Sequence, residues 1–203
     1  MKKRSRGYTA WLYFCAFLIL VFTLFPFYWM LTASFKSFKE IFMEASFFPR
    51  EIIFENYELL FIQTRILLHL KNSFLTGLTA TILTMVFASM TAYLITRYKV
   101  FIIDLLAKMT LFTYMIPTII LIIPFYMAVS AFGLGNTHIA LIIGYITITL
   151  PFAIWLMRSI FQTIPKEMED ASLIDGANKF QTFMYVVIPQ ALPGIISTAT
   201  FVF

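Results

Sequence analysis

The 203-residue chain is 61% hydrophobic and only 12% charged, whereas a soluble domain carries about a quarter charged residues. That much apolar surface exceeds what one soluble core can hide, so lipid is its solvent. The net charge of +5 does not point to nucleic acid, because the basic residues flank apolar spans, where they set orientation.

The opening Met1-Lys-Lys-Arg-Ser-Arg6 is like the n-region of a signal peptide. The apolar run behind it is too long for an h-region and lacks an Ala-x-Ala-like site, so it reads as a retained anchor. Gly7 to Phe35 carries no charge and predicts a span over about 10–33. Cys15, the single cysteine, lies in this run. It permits neither an intrachain disulfide nor a thiolate cluster and reads as a packing residue. Residues 36–71 form a modest external region, with a turn at Phe47-Phe-Pro-Arg50 and a short amphipathic helix over 54–61. This region either caps an outer mouth or contacts an external partner, or it is a packed connector.

Asn72 to Thr96 is uncharged and predicts a second span. Met109 to Met157 is 49 residues without Asp, Glu, Lys or Arg. As helix it is roughly 73 Å long, enough for two crossings of a bilayer core of about 30 Å. The turn composition Gly133-Leu-Gly-Asn-Thr137 divides it into spans at about 109–131 and 138–158. A fifth span begins near Pro193 and meets Phe203 after roughly 15 Å of helix, about half a bilayer. The chain therefore reads as a fragment or truncated product. The expected organisation is an anchor helix plus external segment over 1–70 and a membrane domain over 71–203, with a cytoplasmic loop at 159–190.

With the N-terminus in the cytoplasm, Lys2, Lys3, Arg4, Arg6, Arg97, Lys99, Lys108, Arg158, Lys166 and Lys179 fall inside. Lys36, Lys39, Arg50, Arg65 and Lys71 fall outside, matched by Glu40, Glu44, Glu51, Glu55 and Glu58. The excess of basic residues inside satisfies the positive-inside rule. The protein is thus expected to be multi-pass in a plasma or inner membrane.

No ionisable Asp, Glu, Lys or Arg lies within a span, which argues against an ion-coupled carrier. His138 sits at the start of a span and reads as interfacial; His69 has no partner motif. No P-loop, nucleophile–base pair or metal-ligand spacing is present. The chain reads as a conduit or scaffold powered from elsewhere, with no cofactor of its own. Pro26, Pro117, Pro124 and Pro151 each free a backbone carbonyl and permit a kink. Asn72, Thr76, Thr79, Tyr114, Thr147 and Thr149 either line a path or bond across helices. Pathway lining and plain structure both remain open for these positions.

The polar stretch from Ile164 to Pro193 stands apart. Thr163 is expected to N-cap a helix with Pro165 in its first turn. Glu167, Glu169 and Asp170 suit the positive end of its dipole, and Met168, Ala171, Leu173 and Ile174 give it an apolar side. Gly176 supplies a stop. Asn178 and Gln181 form a capping-box pair for a second helix, whose apolar stripe is Phe180, Phe183, Met184 and Val187. Pro189 and Pro193 are expected to end it. The result is helix, Gly bend, helix, with small residues near the corner. It is either a docking knob or an ordinary cytoplasmic hairpin.

Asp170-Ala171-Ser172, then Gly176, then Val186-x-Ile188-Pro189 resembles the loop signature of permease subunits of binding-protein-dependent ABC importers. That pattern is Glu-Ala-Ala, three residues, Gly, nine residues, Ile-x-Leu-Pro. The spacing is kept, with Asp for Glu, Ser for the second Ala, Val for Ile and Ile for Leu. Residues 25–36, Glu55-Asn-Tyr57, Asn72-Ser73, Ala92-Tyr93 and Leu150 to Trp155 are similar to the smaller permease of maltose-type carbohydrate importers.

The resemblance implies an all-α polytopic bundle of the type I ABC importer permease kind, with about five of six spans present. It implies a second permease, two ATPase subunits that carry ATP hydrolysis, an extracytoplasmic binding protein and a sugar substrate. It places ATPase coupling on Glu169, Asp170, Ala171, Ser172, Asp175, Gly176, Ala177, Val186, Ile188 and Pro189, with Asp170 in the place of the family's acidic residue. The other readings are the same machinery carrying a polyol, glycerol phosphate or peptide, and a non-transporting membrane scaffold or channel subunit.

Overall fold

The computed structural model describes residues 6–43, 46–98 and 115–203, together with residues 102, 105, 108–110 and 112. Among these all regular structure is helical, as expected. In chain order the helices are α1 (Arg6–Ser34), α2 (Phe38–Met43), α3 (Glu55–Gln63), α4 (Ile66–Arg97), α5 (Thr118–Ala131), α6 (His138–Thr163), α7 (Lys166–Ile174) and α8 (Lys179–Thr182). A π-helical turn, Phe183–Val187, then leads into α9 (Ile188–Val202). Gly7–Ser34, Ile66–Arg97, His138–Thr163 and the run Lys179–Val202 are long and apolar enough to cross a membrane. The sequence expectations for Lys2 to Arg4, Glu44, Lys99 and Tyr114 fall outside the described residues.

The chain divides into two compact units, one up to His69 and one from Leu70. In the first, the end of α1 is held to the segment after it by polar side chains. Asn56 Nδ2 donates to the carbonyls of Ser34 and Lys36, each at 2.9 Å. The hydroxyls of Ser34 and Tyr57 lie 2.8 Å apart, and Tyr28 donates to the carbonyl of Phe47. Phe35 packs on Phe54 and Tyr57.

Lys36 is only 2% exposed. Its ammonium donates to the Ser46 carbonyl and lies 4.9 Å from the Trp29 ring centroid. Glu40, also buried, accepts from Ser46 Oγ at 2.7 Å and from the Arg50 amide at 3.0 Å. The Ser46 hydroxyl holds the Glu40 carboxyl below its ordinary pKa of 4.5, with help from the Arg50 amide and the charges of Lys36 and Arg50, against desolvation.

In the second unit the core lies where α4, α6, the π turn and α9 meet. Met85, Ala88, Ala92 and Tyr93 on α4 pack with Ala153, Ile154, Met157 and Phe161 on α6 and with Phe183, Val187 and Ala191. Small residues let membrane helices approach closely without a water-driven core. Gly194 shows how closely: a Cβ built there sits 2.6 Å from Ile160 Cδ1. Thr84 and Thr149 place their hydroxyls 3.3 Å apart between α4 and α6. The hydroxyls of Thr76, Thr79 and Thr147 instead donate to carbonyls of their own helix.

The turn at 133–137 forms where expected. Gly133 has φ +73°, and the amides of Gly133 and Leu134 return to the carbonyls of Ser130 and Val129, closing α5. Thr137 then caps α6, its hydroxyl accepting from the Ala140 amide.

Several span boundaries differ from expectation: α4 starts at Ile66, not Asn72, and α9 at Ile188, not near Pro193. The span at 109–131 is not one helix: residues 115–117 are non-helical and α5 starts only at Thr118. Pro117 lacks an N–H and disfavours helix in the residue before it. In addition, α6 runs past residue 158 to Thr163.

Candidate functional site

Helix α7 starts after Pro165, not at a Thr163 cap. Thr163 is the last residue of α6, and its hydroxyl donates back to the Ile160 carbonyl. Gly176 stops α7 with φ +91°, a region that side chains bearing a Cβ rarely enter. The Gly176 and Ala177 amides bond to the carbonyls of Leu173 and Ser172, a Schellman closure. Asn178 and Gln181 form the expected capping box: Gln181 N donates to Asn178 Oδ1 at 2.9 Å, and Asn178 N donates to Gln181 Oε1 at 2.8 Å.

Helix α7 turns an acid inward and its apolar side outward. Its buried residue is Glu169, 7% exposed, while Met168, Ala171, Leu173 and Ile174 are exposed, Ile174 at 86%. A carboxylate turns inward only when it finds charged or hydrogen-bonding partners. Here Arg97 Nε donates to Glu169 Oε1 at 2.5 Å and the Tyr93 hydroxyl donates to Oε2 at 2.8 Å. Arg97 Nη2 also donates to the Ile164 carbonyl at 2.9 Å, closing the end of α6. Tyr93 stands on the rings of Phe183 and Phe161, with centroids 4.7 and 6.1 Å away. One pair of side chains on α4 therefore holds both the end of α6 and the start of α7.

Of the other loop residues, Asp170, Ala171, Asp175, Gly176 and Pro189 are exposed, and Ser172, Ala177, Val186 and Ile188 are half-buried. The Ser172 hydroxyl lies 2.8 Å from that of Thr182, which is 1% exposed, so it joins α7 to α8. This gives the serine a partner in place of the alanine of the loop signature. The stripe on the second helix is also shifted. Phe183 and Val187 are buried with Thr182, whereas Phe180 and Met184 face outward.

The prolines at 189 and 193 do not end the second helix, because helix continues from Lys179 to Val202. The π turn ends two residues before Pro189, and the Ile188 amide reaches back five residues to the Phe183 carbonyl. The widened turn gives room for a ring that would otherwise clash with the preceding turn. The loop therefore has no break between its second helix and the following membrane helix.

Sequence reasoning picked out Glu169 as a loop residue but missed its partners. Tyr93 and Arg97 sit 76 and 72 residues away. The available signal was an arginine one turn after a tyrosine at the end of an uncharged span.

Comparison with known proteins agrees with this architecture. Residues 84–203 match the family described as binding-protein-dependent transport system inner membrane component. The Escherichia coli inner membrane ABC transporter permease protein YcjP is 32% identical over 194 residues, covering 92% of this chain and 68% of that protein. The diacetylchitobiose uptake system permease protein NgcG of Streptomyces coelicolor is 34% identical over 190 residues, covering 93% and 63%. The trehalose transport system permease protein SugB of Mycobacterium tuberculosis is 33% identical over 186 residues, covering 92% and 68%. The chain thus spans about two thirds of the length of these relatives.

In three dimensions it is similar to a chain of a bacterial ABC transporter involved in import of the acidic polysaccharide alginate, with a TM-score of 0.79 at 22% identity. That match covers all of this chain and 72% of the other, and it supports the type I permease fold. The all-α membrane bundle, the loop signature and these matches agree: the chain belongs to the inner-membrane permease family of binding-protein-dependent ABC importers.

Proposed function

We propose that the chain is one of two membrane-spanning permeases of an ATP-driven sugar importer, and that α7 and the Gly176 corner form its contact with the ATPase. The observation that carries this reading is the outward apolar face of α7. Met168, Ala171, Leu173 and Ile174 are exposed on a loop flanked by membrane helices, beside the exposed acids Asp170 and Asp175. Apolar side chains at a protein surface, rimmed by charge, suit a protein partner. Asp170 offers a carboxylate to a basic group on that partner, and Gly176 leaves its backbone open to close approach. The excess of basic residues on the loop side supports a cytoplasmic position for α7 and the N-terminus. Sugar as the substrate class follows from relatives named for diacetylchitobiose and trehalose. The binding protein and second permease are partners implied by the family.

The test is made on the full-length chain with its partner subunits. Ile174→Glu places a charge on an 86% exposed position and leaves the fold intact. Gly176→Leu adds bulk at the corner. Both are expected to reduce ATPase co-purification and uptake of radiolabelled trehalose. An intact complex with unchanged uptake in both variants would overturn the docking role.

A further inference from the structure

We propose that Arg97 is a positioning residue for transport: with Tyr93 and Glu169 it clamps α7 to α4, so that the loop, α4 and the end of α6 move as one body. This rests on the reading of α7 as the ATPase contact. Chain connectivity joins the loop only to α6 and α9, and nothing covalent near the loop links it to α4. Tyr93 also packs on Phe183, and the polar link to α7 and the end of α6 is supplied by three side-chain hydrogen bonds. Two run from Arg97, to Glu169 and to the Ile164 carbonyl, and the third from the Tyr93 hydroxyl to Glu169. Both oxygens of the carboxylate are occupied, and the side chains of Arg97 and Glu169 are each only 9% exposed.

A buried ion pair is a poor way to gain stability, because desolvation offsets its attraction and an apolar pair of similar volume serves as well. Its distinctive property is direction. A guanidinium is planar and rigid and fixes the angle between the groups it joins, which apolar packing does not. Glu169 and Asp170 therefore divide the labour of one acidic pair. Asp170 faces out and Glu169 faces in. A force applied at the exposed face of α7 reaches α4 through Glu169.

The experiment uses the full-length chain assembled with its partner permease, ATPase and binding protein in nanodiscs. Spin labels replace Leu94 and Glu167, both exposed and outside the apolar face read as the ATPase contact, on a Cys15→Ser background. Distances are read without nucleotide and after trapping with Mg-ATP and vanadate. In the parent the distance is expected to be narrow and the same in both states. In Glu169→Gln and Arg97→Met it is expected to broaden and to shift on trapping, while the ATPase stays bound. Trehalose uptake per ATP hydrolysed is expected to fall about three- to thirtyfold. Tyr93→Phe moves both readouts the same way by less, and it decides alone where the charge variants fail to accumulate.

A parent distance that changes on trapping would overturn the clamp, as would variants that match the parent. Loss of the ATPase from Glu169→Gln to the extent seen in Asp170→Ala would make Glu169 a contact residue instead. Asp170→Ala with ATPase and uptake intact removes the docking reading, yet a broadened distance in Glu169→Gln still supports the clamp.

Discussion

Glu40 and Glu169 are both buried carboxylates with two donors each, but they join different things. The donors to Glu40 come from six and ten residues away, and the result is a stitched surface segment after α1. The donors to Glu169 come from 72 and 76 residues away and join separate helices. The first network shapes a local segment without reference to the rest of the fold. The second exists only when the bundle is assembled, and its loss disturbs a helix junction rather than a turn.

The contrast is broken most directly by truncating each acid. Glu169→Ala leaves Arg97 buried without its counter-charge and is expected to destabilise the second unit by about 3–5 kcal/mol, read as a lowered unfolding midpoint in detergent. Glu40→Ala is expected to leave that midpoint unchanged and to raise protease cleavage between residues 37 and 53. Equal shifts of the midpoint in the two variants would erase the distinction.

Gly194→Ala tests the packing beneath the Glu169 junction. Its Cβ has to displace Ile160, and overpacking of this kind costs about 1–3 kcal/mol; Ile160→Val in the same chain is expected to recover part of the loss. Ser172→Ala removes the hydroxyl facing Thr182 and costs about 1 kcal/mol, with Thr182→Ala adding less than its own single effect because the two share one bond.

The smallest effect is a pH dependence confined to Glu40. Its folded pKa is depressed, so the stabilisation is fully present above the ordinary value of 4.5 and is lost as pH falls through the lower, folded value. Pepsin cleavage of residues 37–53 is expected to rise only below that range. Glu40→Gln is expected to remove the pH step.

The spans and helix stops were legible because each depends on composition within one stretch of chain. Apolar length marks a membrane helix, and Gly133, Gly176 and the Asn178–Gln181 pair act on the turns that contain them. The face that α7 buries was not legible. Its apolar residues suggest one side, but Arg97 and Tyr93 pull Glu169 in and turn those residues outward. Pro189 was misread for a related reason. A proline ends an ordinary α-helix, but the π turn before it admits the ring. Thr163 likewise had a competing partner, the Ile160 carbonyl, in its own helix. The Lys36–Glu40–Ser46 cluster follows no helical or strand period and left no pattern to read.

The unbroken helix from Lys179 to Val202 has a mechanical consequence. Its 24 residues make a rod of roughly 36 Å. A tilt of about 10° applied at the loop end would sweep the far end through roughly 6 Å, more than the pitch of one helical turn. A small rotation at the membrane surface becomes a side-chain-sized displacement within the bilayer, and the arm that performs it starts at Lys179, just past the corner at Gly176.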